Sequence, residues 1–433
     1  MTKVSIFTLG CRLNQAESAL IADDLRRAGY ELVSWGKPVE LAVINSCLVT
    51  AAAGQKTRQA VRRARRDNPA AYVVLAGCSA ELEADKWGDE EAVDLIVPNR
   101  AKTRLTALLP EELISGWGVK VATAPESASD MLFTEDGCGF YPGRTRANLK
   151  IQEGCDFFCT YCIVPYTRGK PRSRAWADVV REARELITRG HKEIVLTGVN
   201  IAGYEDAGRT LSDLLEELLL LDGEFRLRLS STEPCPELPR VVEVMQQSTK
   251  ICRFLHVPMQ YGEDEILRRM NRRYSVRQYR DFIRETAEQI EDICIGSDVI
   301  VGFPGETPAH FERCLETVRD LPLAYLHIFR YSARPGTPAA DFSGQVHGDI
   351  ISARRQCMQE LADTKARAFT ESMQGKRVTL LTEAVNENGR WEGWTDNYLR
   401  AELSNGPSNL QANEFVQAEI IKSLDGRCVK CKK

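Results

Sequence analysis

Histidine is scarce in this 433-residue chain, which holds five. Neither His-Glu-x-x-His nor Gly-x-Ser-x-Gly occurs, so the sequence offers no zinc-peptidase or serine-hydrolase motif. Charge of one sign is lacking too. With 57 Lys and Arg against 61 Asp and Glu, the formal net charge is −4. There is no global basic field, and any nucleic-acid contact must come from local patches. No apolar run approaches the ~18 residues of a membrane helix. The first residues, MTKVSIFTLGCRLNQ, lack the long apolar stretch and Ala-x-Ala-like site of a secretory leader. A cytoplasmic protein with no membrane partner is expected. Hydrophobic residues at 43% and charged residues at 27% are ordinary for a globular chain of two or three domains.

What the chain has in quantity is cysteine, fourteen in all. In a reducing compartment these are not expected to form disulfides. For Cys138, Cys235, Cys252, Cys294, Cys314 and Cys357 the expectation is buried, hydrophobe-like packing. The tail CVKCKK, with Cys428 and Cys431, has the Cys-x-x-Cys spacing of metal or redox sites. It has no partner pair, and a non-catalytic terminal feature is expected.

Three parts follow along the chain. In residues 1–140, the apolar runs VSIFTLG, LAVINS, YVVLAG and VDLIVP alternate with the amphipathic segments NQAESALIADDLRRAGY and GQKTRQAVRRARRDN. That alternation predicts a doubly wound parallel sheet. A further helix over AKTRLTALLPEELI and a linker to about residue 144 follow. In residues 141–373, the strands LKIQE, EIVLTG, RLRLSS, FLHVPM, DVIVGF and LHIFRY alternate with helices such as WADVVREARELITRG, implying a partial or complete β/α barrel. Residues 374–433 alternate polar and apolar residues between Gly and Asn turns, predicting a small antiparallel β-barrel.

The stretch GCDFFCTYC places Cys155, Cys159 and Cys162 four and then three residues apart, with no fourth cysteine nearby. Structural zinc takes four protein ligands, and a four-iron cluster ordinarily takes four thiolates. Three leave one coordination position open. The loop follows the first strand of the barrel, at the C-terminal face where barrel active sites lie. Three more cysteines, Cys11, Cys47 and Cys78, each directly follow an apolar strand behind a small residue. In a parallel sheet those strand ends share one edge, where ligands bind. A second cluster on three cysteines is the sharper reading and buried packing the plainer one.

Cys-x-x-x-Cys-x-x-Cys after the first barrel strand, with Tyr161 before the last cysteine, resembles the radical S-adenosylmethionine (SAM) superfamily. TLGCRLNQAES, NSCLVT, LKIQEGCDFFCTYCIVPYTRGKPRSR, SDVIVGFPGET and HIFRYSARPGTPAA together resemble its methylthiotransferase family over nearly the whole chain. The C-terminal part resembles the RNA-binding TRAM barrel. The resemblance implies two [4Fe-4S] clusters, one on Cys155, Cys159 and Cys162 and an auxiliary one on Cys11, Cys47 and Cys78. It implies SAM as methyl donor and radical source, with Gly198 near its methionine part, Gly302 near its adenosine, and Tyr161 and Ser231 in the same pocket. Each glycine is equally at home in a plain turn. An electron donor such as flavodoxin or ferredoxin and a sulfur donor are implied partners.

Three branches of that family differ in substrate: N6-isopentenyladenosine in tRNA, N6-threonylcarbamoyladenosine in tRNA, and an aspartate of a ribosomal protein. NSCLVT, QKTRQAVRRARRDNP and SSTEP resemble the threonylcarbamoyladenosine branch most. Leu48 departs from it, since a Thr is more usual there. The implied target is carbon 2 of the adenosine at tRNA position 37, in the anticodon loop. Unpaired bases there are accessible without melting a duplex. An RNA-binding iron–sulfur redox sensor without catalysis is the alternative of another class.

Basic residues crowd two segments: Lys56, Arg58, Arg62, Arg63, Arg65 and Arg66 in one, Arg268, Arg269, Arg272 and Arg273 in the other. They are candidates for phosphate contacts or simply solvated helix faces. The C-terminal part has nine basic and eight acidic residues from Lys376 to Lys433, so charge alone argues little for RNA there. Trp391, Trp394 and Tyr398 either stack bases or fill the barrel, with packing expected for at least one Trp.

Overall fold

In a computed structural model, every residue of the chain is described except 89–91, 117–118, 123–130, 405, 407–408 and 425. Part of the expected linker before residue 144 lies outside the described residues.

The N-terminal part is a six-stranded sheet with all pairings parallel. Its central strands are Lys3–Thr8, Leu41–Ser46, Tyr72–Gly77 and Leu95–Val97. Strands 41–46 and 72–77 are buried along their whole length. That explains why they read as continuous apolar runs rather than alternating ones. Side chains alternate across the sheet. Ala42, Ile44, Val73 and Leu75 pack against Val61 and Ala64 of helix Ala51–Asp67. Val43 and Val74 pack against Ile21 and Leu25 of helix Arg12–Arg27 on the other face. Thr50 caps helix Ala51–Asp67 by accepting from the Ala53 amide at 3.2 Å.

The helix expected over residues 101–114 is instead a short 3-10 segment, Lys102–Leu108. Arg104 breaks it with φ −113° and ψ 47°, and Pro110 bars the helical conformation to the residue before it.

Six parallel strands form the central part, in the order Arg146–Lys150, Glu193–Thr197, Arg226–Leu229, Phe254–His256, Cys294–Val301 and Tyr325–Arg330. Single bridges, Leu227 to Ile251 and Ser231 to His256, join the two halves. Among the described residues the first and last strands do not pair, so the barrel is partial. The first strand sits three residues earlier than the sequence pattern suggests. Gln152–Glu153 leaves the barrel and pairs antiparallel with Arg172–Arg174, where Glu153 meets both Lys150 and Arg172. A 25-residue helix, Gly348–Ser372, leads out of the barrel.

The C-terminal strands, from Arg377–Val385 to Cys428–Lys432, close into a five-stranded barrel. Contrary to expectation it is not wholly antiparallel, because Arg400–Leu403 and Cys428–Lys432 run parallel. Buried arginines dock it onto the central part. Arg226 donates to the carbonyls of Thr379 and Trp394, and Arg228 to those of Thr395 and Asp396, while both pair with fully buried Glu193. No helix among the described residues is long and apolar enough to cross a membrane.

Candidate functional site

Cys11, Cys47 and Cys78 sit at neighbouring strand ends because two glycines let the loops touch. A Cβ on Gly10 would lie 2.8 Å from both Cβ and Sγ of Cys47. A Cβ on Gly77 would lie 2.6 Å from the Ser46 carbonyl, and Gly77 has a φ of +96°. Only glycine tolerates both conditions. Burial pushes the Cys47 thiol up to about 11, and Cys78 and Cys11 add to the rise by mutual repulsion.

Beneath these loops lies a buried polar network. Glu17 bonds Arg168 at 2.8 Å and Lys102 at 2.6 Å. Burial opposes ionisation of Glu17, but Arg168, Lys102 and Lys150 together hold it well below the usual carboxylate range. Asn14 donates to the carbonyls of Leu9 and Ser46 and accepts from Arg168. Asn99 donates to the Thr167 carbonyl at 2.7 Å and approaches Cys78 Sγ at 3.8 Å. Thr167 and Arg168 belong to the short helix Val164–Arg168 that follows Cys162. One network therefore ties both cysteine sets together.

The loop from Gly154 to Cys162 is pinned on several sides. Gly154 has φ +72°, and a Cβ there would lie 2.0 Å from the Lys170 carbonyl. Thr160 bonds the backbone of Met270 and Arg269 and accepts from the Ala339 amide. Arg272 donates to Cys159 Sγ at 3.2 Å and pairs with Glu233. The Phe157 amide donates to Cys155 Sγ at 3.5 Å. Burial pushes Cys155 up to about 11 and Cys162 up to about 12, with Cys159 raising both further. Burial keeps these thiols protonated at neutral pH until a metal displaces the protons, and the N–H donors aimed at sulfur in each set fit thiolates held by a cluster.

The candidate SAM residues distribute unevenly. Tyr161 packs edge-on to Phe303 at 6.5 Å, and burial pushes its hydroxyl up. Gly198 and Ser231 line a cavity inside the partial barrel. A Cβ on Gly198 would also meet the Gln152 carbonyl at 2.8 Å. Gly302 has φ +80°, and a Cβ there would lie 2.4 Å from Ile351. Its missing side chain makes room for helix Gly348–Ser372.

Several basic residues are engaged within the fold. Arg272 is buried and held by Glu233 and Cys159, so it is corrected from a phosphate contact to a support of the cysteine loop. Arg65 is tied to Asp94 at 2.7 Å and to two carbonyls, which also removes it from the RNA candidates. Arg63 and Arg66 pair with Asp67 at the surface. Arg62 and Arg268 are exposed. Trp391 packs on the C-terminal barrel core, whereas Trp394 stacks on Tyr398 at 4.7 Å. Cys357 is exposed on its helix rather than buried. Cys428 and Cys431 are three apart on one strand and so face opposite sides. Cys431 lies in the barrel core, and the two do not make a paired site.

Residues absent from the sequence-based candidates also converge here. The cavity, of about 210 Å³, brings Arg12, Thr197, Ser230, His256 and His327 alongside Cys11 and Tyr398. His256 and His327 bond Asp298 at 3.0 and 3.2 Å. Burial opposes ionisation of Asp298, but the two imidazoles hold its pKa down at about 2. Arg12 carried a signal, as the first residue after Cys11. Lys102, Asn99 and Asp298 carried none, because only the fold brings them to the site.

Cysteine triplets at the open ends of a parallel sheet and a partial β/α barrel define a radical SAM type of protein. The Radical SAM superfamily matches residues 149–318, and Uncharacterized protein family UPF0004 matches residues 3–98. The chain is 33% identical over 436 residues to threonylcarbamoyladenosine tRNA methylthiotransferase MtaB of Bacillus subtilis, covering 98% of this chain and 94% of that protein. It is 35% identical to MtaB of Aquifex aeolicus, covering 92% and 95%. It is also 33% identical to tRNA-2-methylthio-N(6)-dimethylallyladenosine synthase of Jannaschia sp., covering 99% and 94%. Among solved structures, the radical SAM methyltransferase TsrM of Kitasatospora setae aligns with TM-score 0.55 at 16% identity, covering 78% of this chain and 75% of that one. The chain belongs to the tRNA methylthiotransferase family of radical SAM enzymes. It is a transferase, and its family implies a [4Fe-4S] cluster and SAM.

Proposed function

We infer that the protein methylthiolates carbon 2 of N6-threonylcarbamoyladenosine at tRNA position 37. The observation carrying this reading is the network that joins two three-cysteine sites. Asn99 reaches Cys78 Sγ and the Thr167 carbonyl, and Arg168 reaches Glu17 and Asn14. Cys155, Cys159 and Cys162 would hold one [4Fe-4S] cluster, and Cys11, Cys47 and Cys78 a second. When bound, these groups with SAM supply radical hydrogen abstraction and sulfur, which suits a C–H bond that acid–base chemistry cannot activate.

The chain's own residues then position and insulate. Arg272 places a fixed positive charge against Cys159, offsetting thiolate charge where water is excluded. Tyr161 would lie beside SAM, Gly198 and Ser231 would stand at the border between SAM and the barrel cavity, Gly302 would reach its adenosine through backbone alone, and Arg62, Arg66 and Arg268 would meet tRNA phosphates. The threonylcarbamoyl choice is supported by NSCLVT, SSTEP and the relatives that bear that name. The relatives named for dimethylallyladenosine support a second reading with the same chemistry. Electron and sulfur donors would dock from outside. The test is mass spectrometry of nucleosides from tRNA of a strain lacking the gene. Loss of 2-methylthio-N6-threonylcarbamoyladenosine is expected, and loss of the isopentenyl counterpart would replace the first reading with the second.

A further inference from the structure

The cavity inside the partial barrel is walled by all three parts of the chain. Its volume of about 210 Å³ falls below the ~300–1,000 Å³ of pockets that swallow whole drug-sized ligands. Cys11 stands in one wall, and the strand ends Thr197–Gly198 and Ser230–Ser231 form another. A group held there lies against Cys11 of one cysteine set, and Gly198 backs onto Gln152, which bonds the Gly154 carbonyl at the start of the other cysteine loop.

The lining points to a polar occupant. Thr197 Oγ1 and Ser230 Oγ are buried without a hydrogen-bond partner, and both residues are more than nine-tenths buried. Buried hydroxyls in that state are costly unless a ligand or water satisfies them. Opposite chemistry comes from Tyr398. It adopts φ +63°, a conformation rare for a bulky residue and found where function demands it. Trp394 stacks behind it at 4.7 Å and Phe254 lies 4.5 Å away, so its ring is held rigidly.

Arg12 sets the charge. Its Nη2 donates to the Tyr398 hydroxyl at 2.7 Å, and its guanidinium lies 5.5 Å from that ring. Among the described residues Arg12 has no carboxylate partner. Asp298, which lies behind the cavity histidines, is already held by His256 and His327. Glu193 is likewise held by Arg226 and Arg228. An arginine at a cavity wall, oriented but unpaired, suits planar recognition of a carboxylate.

We propose that this cavity seats the target base, with the Thr197 and Ser230 hydroxyls bonding its polar edge and Arg12, held by Tyr398, paired to a carboxylate on its N6 substituent. Arg12 then selects a carboxylate-bearing adenine over one with an apolar substituent. This rests on the threonylcarbamoyl reading of the substrate, since an isopentenyl group has no carboxylate to offer.

The test uses the full, anaerobically reconstituted chain and three synthetic anticodon stem-loops. They carry N6-threonylcarbamoyladenosine, N6-isopentenyladenosine or plain adenosine at the same position, and affinity is read by fluorescence anisotropy. The native protein is expected to prefer the threonylcarbamoyl RNA over plain RNA by on the order of tenfold or more, the scale of one charge-assisted pair. Arg12→Gln should abolish that preference, weakening the threonylcarbamoyl RNA by on the order of tenfold more than plain RNA. Tyr398→Phe, which frees Arg12, should weaken the preference, and Thr197→Val should weaken all three RNAs. Cluster absorbance and melting temperature equal to the native values establish that each variant is folded. If native protein prefers threonylcarbamoyl RNA and Arg12→Gln keeps the preference, the Arg12 assignment falls while the function stands. If native protein prefers isopentenyl RNA, the substrate reading fails and takes the assignment with it.

Discussion

Replacing Arg168 by Met removes the guanidinium that joins the two cysteine sites and leaves Glu17 buried. Arg168 donates to both oxygens of Glu17 at 2.8 and 3.0 Å and to Asn14 Oδ1 at 2.6 Å. The side chains of Arg168 and Glu17 are 3% and 0% exposed, so the surface-pair figure of about 1 kcal/mol or less does not apply. Breaking a buried pair costs about 3–5 kcal/mol because one charge stays behind. Lys102 still reaches Glu17 at 2.6 Å, which puts the expected loss at the lower end, about 3 kcal/mol. With a urea slope of about 3 kcal/mol/M, the midpoint of tryptophan-detected unfolding should fall by about 1 M. The double variant Glu17→Gln/Arg168→Met should recover at least half of that loss, because no uncompensated carboxylate remains. Lys102, whose pKa burial already lowers, can shed its proton. A midpoint within about 0.3 M of native for Arg168→Met, the shift a surface pair would give, or strictly additive losses in the cycle, would refute the claim that this network is a coupled, buried unit.

Other outcomes follow from the same geometry. Gly154→Ala forces a Cβ to 2.0 Å from the Lys170 carbonyl at φ +72°; it should cost about 2 kcal/mol or more and lower iron content of the reconstituted protein by the share of one cluster. Glu153 is held at about 2, against 4.5 for a free Glu: burial opposes its ionisation, but Lys150 and Arg172 win. Its contribution is present above pH 4.5 and lost as pH falls toward 2, so acid titration of the urea midpoint should show a drop in that window that Glu153→Gln flattens. Cys431→Ala should cost about 1–2 kcal/mol through the barrel core, whereas Cys428→Ala should stay within about 0.5 kcal/mol of native, and neither should change iron content. Arg66→Ala is expected to reduce the salt dependence of tRNA binding by about 0.7 in the log–log slope, one phosphate contact on a single strand; Arg65→Ala should lower stability instead, since Arg65 is tied to Asp94.

The parallel sheet was legible in the sequence because strands such as LAVINS and YVVLAG are buried on both faces and carry no competing pattern. The cysteines following them were legible for the same reason, since strand ends locate themselves. The helix after residue 101 was misread because its periodicity is right but Pro110 and the kink at Arg104 stop it. The basic segment around Arg272 misled because sequence shows charge and not burial. Only the fold reveals that Glu233, from a different strand end, claims that guanidinium. The cavity was illegible, since Arg12, Ser230, His327 and Tyr398 are distant in sequence and meet through docking of the C-terminal barrel by Arg226 and Arg228. The parallel closure of that barrel was hidden too, because alternation along a strand is the same whichever way its neighbour runs.

On the proposed function, two separate cysteine triplets each hold a four-iron cluster. The most direct measurement is iron and sulfide content of the anaerobically reconstituted Cys155→Ala/Cys159→Ala/Cys162→Ala variant. About four irons per chain, the content of one such cluster, are predicted to remain on Cys11, Cys47 and Cys78. Iron near zero in a folded variant would contradict the claim and leave those three cysteines as packing residues of the sheet edge.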